Sequence, residues 1–308
     1  MPYYLLILLL GMLQSLKSYG QYKSELRFQN DNDVYLLINQ DQYYTNGLSL
    51  SYLHAWNRDN RKQLVELQVG QQIYNGVELS ANGELRSDMP FTGYLYGSIA
   101  WTRFIQHNKL LRVGVEMAQI GDKSYGQEAQ EYFHKALNFY AVQGWENRLS
   151  NAFGADLQVS FQQQLLEQLS KKYSLTFSAA ARLGMHHTDL ELALPFRWGR
   201  IHTFRESVST NGHLGKAESS DSRGEFFGFY RPAVHWQGYN ATMQGGLFAK
   251  DAVGEQYQPK PFFFSHELGL KLQKKHWNLA FSYQFNSRIS ESAIYRHQYG
   301  KLIAGYLF

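Results

Sequence analysis

The 308-residue chain contains no cysteine, which excludes a disulfide scaffold, thiol catalysis and a cysteine-bound metal. Proline is scarce, at 6 residues against 26 glycines, 22 tyrosines, 20 phenylalanines and 6 tryptophans, a balance that suits many strands and tight turns. No dense basic run occurs and the net charge is only +4, so a nucleic-acid groove is not indicated. That mild positive charge fits a surface meeting anionic lipid or sugar phosphate. Past residue 13 there is no apolar stretch of helical spanning length. A chain of this kind enters a membrane as a barrel or not at all.

The first 13 residues, MPYYLLILLLGML, are apolar but shorter than the ~20 residues that a spanning helix needs. They have the form of a signal-peptide core, with Ser18-Tyr19-Gly20 as a small-residue cleavage site. Residues 1–20 are therefore read as a leader and 21–308 as the exported domain, a single barrel.

Alternation with period two is the clearest pattern in the remainder. Ala155, Leu157, Val159 and Phe161 interleave with Asp156, Gln158, Ser160 and Gln162. Trp277, Leu279, Phe281, Tyr283 and Phe285 interleave with Asn278, Ala280, Ser282 and Gln284. One fatty face and one polar face are what lipid outside and a polar lumen require, whereas a soluble sandwich would need an apolar partner for its inner face. Strands are expected at about 22–30, 44–54, 62–72, 92–105, 109–119, 153–163, 173–184, 188–199, 225–238, 262–273, 276–287 and 299–308. The stretch 240–250 is the alternative to 188–199. The fold class is all-β, a twelve-stranded antiparallel transmembrane β-barrel with long outer loops, one carrying a short helix. Parity places the head of the first hairpin and the connections 73–91, 120–152 and 239–261 on the outer side, and the short turns on the periplasmic side.

Two stretches carry candidate chemistry. The head of the first hairpin holds Asn30, Asp31, Asn32, Asp33 and Asp41, and Thr45-Asn46-Gly47 begins the return strand. Such a cluster is cheap in a solvated turn and also suits a hard cation, which takes oxygen ligands. The 120–152 insertion is expected to form a helix from about Gln127 to Asn138, with Gln127, Gln130 or Glu131, and His134 along one side. The adjacent pair His186-His187 points two ways on a strand and is read as structural.

Three blocks, taken in order on this strand pattern, resemble the outer-membrane lipid A 3'-O-deacylases. They are Phe28 to Gly47 (FQNDND…DQYYTNG), Gln72-Ile73-Tyr74 with Asp88 to Tyr96 (DMPFTGYLY), and Gly126 to Gln130 with His134 and Gly144-Trp145-Glu146-Asn147. The resemblance covers most of the mature chain. It implies a calcium-dependent site at the outer rim and removal of the 3'-linked acyloxyacyl group of lipid A. It also implies that Asn30, Asp31, Thr45 and His134 are the positions tied to activity. Met89 stands where the family often has arginine, which leaves Arg86 as the candidate for holding phosphate, with Gln127 and Gln130 as further substrate contacts.

The residue types suit ester hydrolysis. An imidazole, with an unperturbed pKa of about 6.5, can act as general base on water, the part assigned to His134. Asp31 is the expected calcium ligand, Ca2+ would act as a Lewis acid on the carbonyl, and Asn30 would stabilise the oxyanion. Thr45 would orient water or Asp31. The expected partners are lipopolysaccharide and outer-membrane lipids, with no nucleic acid, and the barrel is taken as a monomer in the bacterial outer membrane with its site facing the outer leaflet. The competing readings are a lipopolysaccharide-binding barrel without chemistry and an outer-membrane phospholipase using serine. A porin fits least, because bulky inward side chains would fill the lumen.

Overall fold

The computed structural model describes residues 22–36, 43–58, 61–81, 84–166, 172–216, 223–249 and 257–308. The expected leader, residues 1–20, lies outside them. Twelve antiparallel strands form the wall. They are β1 Ser24–Asn32, β2 Tyr43–Arg58, β3 Arg61–Asn75, β4 Thr92–Gln106, β5 Lys109–Ile120, β6 Ala152–Gln164, β7 Tyr173–Gly184, β8 in two pieces (His187–Ala193 and Phe196–Arg200), β9 Glu225–Asn240, β10 Phe262–Lys274, β11 Trp277–Asn286 and β12 His297–Leu307. Each pairs with its neighbours in sequence, and β1 closes the ring on β12, with Glu25 opposite Leu307 and Asn30 opposite Leu302. No sheet edge remains along the wall, which is how strands satisfy their backbone groups in lipid.

The two pieces of β8 are one strand with a gap at Leu194-Pro195. Ala193 and Phe196 keep step with β7 (Ser178, Leu175) and with β9 (Ala233, Tyr230), so the register runs straight across the gap. Proline has no N–H for the ladder, and Pro195 keeps only its carbonyl bond, accepting from Thr176 N at 2.9 Å. The expected strand 188–199 is thus the one the barrel uses. The alternative stretch instead starts with a short helix, Ala241–Gln244.

Alternation sorts the side chains as expected. Leu26, Phe28, Leu50, Leu157, Val159 and Phe281 are exposed on the outside, while Glu25, Asp156, Glu116 and Ser282 are buried on the inside. Among the described residues, side chains pack into the lumen at both ends. At the end where the termini meet, the β8–β9 connection folds back into the barrel and seats Phe204 and Leu214 against Leu53, Leu64, Phe104 and Leu307. Lys62 Nζ donates to the Arg205 carbonyl (2.7 Å) and the Gly212 carbonyl, and His213 Nε2 bonds Glu25 at 2.7 Å. At the opposite end, here the loop end, Tyr43, Met89, Met243, Ile289 and Ala293 pack together. Between these closures lies a polar cavity of about 520 Å³.

Candidate active site

The loop end carries a helix, α1 (Gly126–Leu137), held against the outside of the wall. Two glycines make that contact possible. A Cβ on Gly126 would sit 2.7 Å from Gly93 Cα on β4, and a Cβ on Gly93 would sit 2.8 Å from Gly126 Cα. Beneath the helix Ile73, Phe91 and Trp145 form an apolar footing, and Trp145 Nε1 donates to Gln130 Oε1 at 2.8 Å. Asn138 ends the helix in the left-handed conformation, and Phe139 N bonds the His134 carbonyl at 2.8 Å.

Between α1 and the outer faces of β1 and β2 runs a groove of about 630 Å³. Asn30, Thr45 and His134 all line it. So do Asp33, Phe133 and Leu137. His134 is buried, and its Nδ1–H donates to the Tyr140 carbonyl at 2.9 Å. A carbonyl can only accept, so a proton lies on Nδ1, and Nε2 is the ring nitrogen that can act as a base. Phe139 and Tyr140 stand edge-on to the imidazole, with ring centres 5.7 and 4.8 Å away.

Asn30 shares the outward face of β1 with Leu26 and Phe28. Its Nδ2 donates to the Gly47 carbonyl at 3.0 Å and its Oδ1 accepts from the Tyr35 hydroxyl. Burial, and then the Asp31 carboxylate nearby, push the Tyr35 phenol above its ordinary range, so it stays a donor. Thr45 reaches the groove through a bulge. Tyr44 pairs with Tyr74 and Asn46 with Ile73, leaving Thr45 as an extra residue on β2. Tyr44 therefore turns inward, and a Cβ on Gly47 would fall only 1.8 Å from its hydroxyl. The Thr45 hydroxyl donates to Asp33 Oδ2 at 3.0 Å.

Asp31 is not with them. It lies on the inward face of β1, lines the lumen cavity, and accepts from Tyr44 Oη (2.9 Å) and Gln29 Nε2 (2.9 Å). The groove's carboxylate is Asp33, at the start of the 3-10 turn Asp33–Leu36. Parity could have found this: if Leu26 and Phe28 face lipid, so does Asn30, and Asp31 cannot. Gln130 lines the groove but is committed to Trp145, whereas Gln127 bonds Glu131 at 2.8 Å and does not line it. Arg86 belongs to a small hairpin, Glu78–Ala81 with Glu84–Ser87, where it pairs with Leu79; its side chain lies outside the described residues. Met89 is buried in the closure of the lumen.

A closed twelve-stranded barrel with a lipid-facing wall and a helix-covered groove on that wall is an integral membrane protein of the bacterial outer-membrane type. A family model described as outer membrane protein LpxR matches residues 4–308, and the chain belongs to that family. Family membership places it in the bacterial outer membrane and supports a lipid A deacylase type of function. Among solved structures it is similar to LpxR from Salmonella typhimurium, at 16% identity and a TM-score of 0.72 over 92% of this chain and 100% of that one. It also resembles the β domain of the Bordetella autotransporter BrkA, at 10% identity and a TM-score of 0.47 over 94% and 99% of the two chains. No curated protein sequence matches it.

Proposed function

We propose that the groove hydrolyses the 3'-linked acyloxyacyl ester of lipid A, with the substrate entering sideways from the outer leaflet. The carrying observation is that His134 of α1 and Asn30 and Thr45 of the wall line one cavity on the lipid-facing side. The apolar lining, Phe28, Leu48, Phe133 and Leu137 among others, suits acyl chains, and the polar residues beside it suit the ester.

His134 takes a proton from water at Nε2 as the water attacks the ester carbonyl. The Nδ1–H bond to Tyr140 holds the ring in the tautomer this needs. Asn30 has two amide N–H groups; Gly47 uses one, which leaves the other for the developing oxyanion. His134 then returns the proton to the sugar oxygen as the acyl–oxygen bond breaks, releasing the acyloxyacyl acid. Asp33 holds the Thr45 hydroxyl, which can orient the water.

The donor set suits a hard divalent cation, because the Asp33 carboxylate, the Thr45 hydroxyl and the amides of Asn30, Asn32 and Asn46 all offer oxygen. Calcium held there would polarise the ester carbonyl. Asp33 replaces Asp31 as the proposed ionised ligand, since only Asp33 lines the groove.

The test is mass spectrometry of lipid A from cells expressing the wild type or His134→Ala. Loss of the 3' acyloxyacyl mass with the wild type only, and its abolition by rigorous chelation, is the expected result. Unchanged lipid A with a folded wild-type barrel would favour a binding protein instead.

A further inference from the structure

Inside the barrel, on the far side of the wall from the groove, three side chains from three strands converge near the loop end. Glu116 on β5, Asp156 on β6 and His187 on β8 present ligand atoms that all lie within 4.8 Å of one another, and all three are buried. Glu116 and Asp156 are direct cross-strand partners. Like charges placed directly opposite one another destabilise a strand pair, and burial makes the repulsion harder to screen.

Arg182 lies near enough to act on Glu116 electrostatically, but the nearby guanidinium groups make their ion-pair contacts elsewhere. Arg182 is engaged with Asp189 and Arg112 with Glu66. Among the described residues no lysine or arginine forms an ion pair with Glu116 or Asp156. Their oxygens are met by the Tyr94 hydroxyl (2.7 Å), Gln158 Nε2 (3.0 Å), the His186 backbone N–H (2.8 Å) and His187 Nδ1 (2.8 Å). A protonated His187 could neutralise only one of the two carboxylates.

A second observation points the same way. His186 is 1% exposed, yet its Nδ1 has no hydrogen-bond partner. Its ring and that of His187 pack on the same Tyr94, with centres 5.5 and 5.4 Å from it, and both Asp156 and Glu116 act on it electrostatically. The His186 ring has a backbone partner at Ala152, which leaves Nδ1 as a buried acceptor that a cation near the two carboxylates would satisfy.

We propose that Glu116, Asp156 and His187 form a buried site for one divalent transition-metal ion of the zinc class, with His186 as a further nitrogen donor. Mixed carboxylate and imidazole ligands suit zinc better than calcium, which prefers oxygen alone. Tetrahedral zinc wants its ligand atoms about 3.3 Å apart, so modest side-chain rotation closes the site. The ion would tie β5, β6 and β8 together below the point where β5 leads into the insertion carrying α1.

The experiment uses the full-length barrel in detergent, without a histidine tag, stripped of metal and titrated with zinc. Elemental analysis after dialysis should give one zinc per chain. Asp156→Asn and His187→Ala should each weaken binding at least tenfold, while Asp33→Asn in the groove should not. Cobalt(II) loaded into the wild type should give a visible ligand-field spectrum that His187→Ala loses; this reads the wild type even where a variant fails to fold. Substoichiometric zinc in the wild type, no imidazole-type cobalt spectrum, or loss of zinc on Asp33→Asn alone would overturn the proposal.

Discussion

The lumen and the wall groove are built from the same strands and follow opposite rules. In the lumen near the termini, charges are paired and packed: Glu25 is fully buried and bonded by Arg27, His213 and Asn278, and Glu225 by Ser207 and the Val208 N–H, with Arg197 3.7 Å away. The groove exposes mostly apolar surface, with Asn30, Asp33, Thr45 and His134 among its polar lining residues. β1 serves both, with Asp31 on the inside and Asn30 on the outside. The thickness of one backbone separates the chemistry of stability from the proposed chemistry of reaction, so substitutions one residue apart should have unlike effects.

The widest separation should come from His134→Ala, which is expected to lower deacylation about 10²–10⁴-fold, the range typical of a general base. Heat-modifiable gel mobility should show the barrel intact. Retained activity would remove the groove from the comparison. Glu25→Gln, on the lumen side, should do the reverse. Disturbing a buried ion pair of this kind costs about 3 kcal/mol in denaturant unfolding, with lipid A conversion by the folded fraction unchanged.

The two neighbouring aspartates sharpen the contrast. Asp33→Asn, which removes the proposed ionised calcium ligand, is expected to reduce activity by more than the ~10–100-fold typical of a supporting residue, whereas Asp31→Asn should leave it within about threefold. The opposite ranking, measured by lipid A mass spectrometry under saturating calcium, would return the role to Asp31. Trp145→Phe removes the N–H that bonds Gln130, worth about 1 kcal/mol, and should cost activity a few-fold by loosening the seat of α1.

The smallest effect expected is on pH dependence. Burial, the largest influence, holds the His213 imidazole below its ordinary range, with the bond to Glu25 pulling the other way. The folded chain therefore binds fewer protons than the unfolded one just below pH ~6.5, so stability falls as pH drops through that value. His213→Asn should flatten that slope in unfolding curves taken from pH 7 to 5.

The strands were legible because the period-two rhythm of Leu, Phe and Val against Gln, Ser and Glu is imposed by lipid on one side and a polar lumen on the other. The gap at Pro195 follows from residue type alone. The assignment of the carboxylate was not legible from clustering, because two Asn-Asp pairs stand in a row and either could be at the site. The parity of Leu26 and Phe28 separates them up to the end of β1. Beyond that, the 3-10 turn that brings Asp33 round and the bulge that turns Thr45 outward have no signature in composition. Much of the resemblance turns out to be mounting hardware. Gly93, Gly126, Phe91 and Trp145 hold α1 in place, while His134, Asn30 and Thr45 are among the residues that line the cavity.

The seam of the cylinder runs beside the groove. β1 is stitched to β12, and the turn bearing Asp33 rests on that last strand, with Tyr35 packed over Gly300. Since β12 is synthesised last, a nascent or half-assembled chain has nothing to brace this corner. Competence of the proposed site is thereby tied to ring closure, and lipids met on the way to the final membrane would face an unassembled groove.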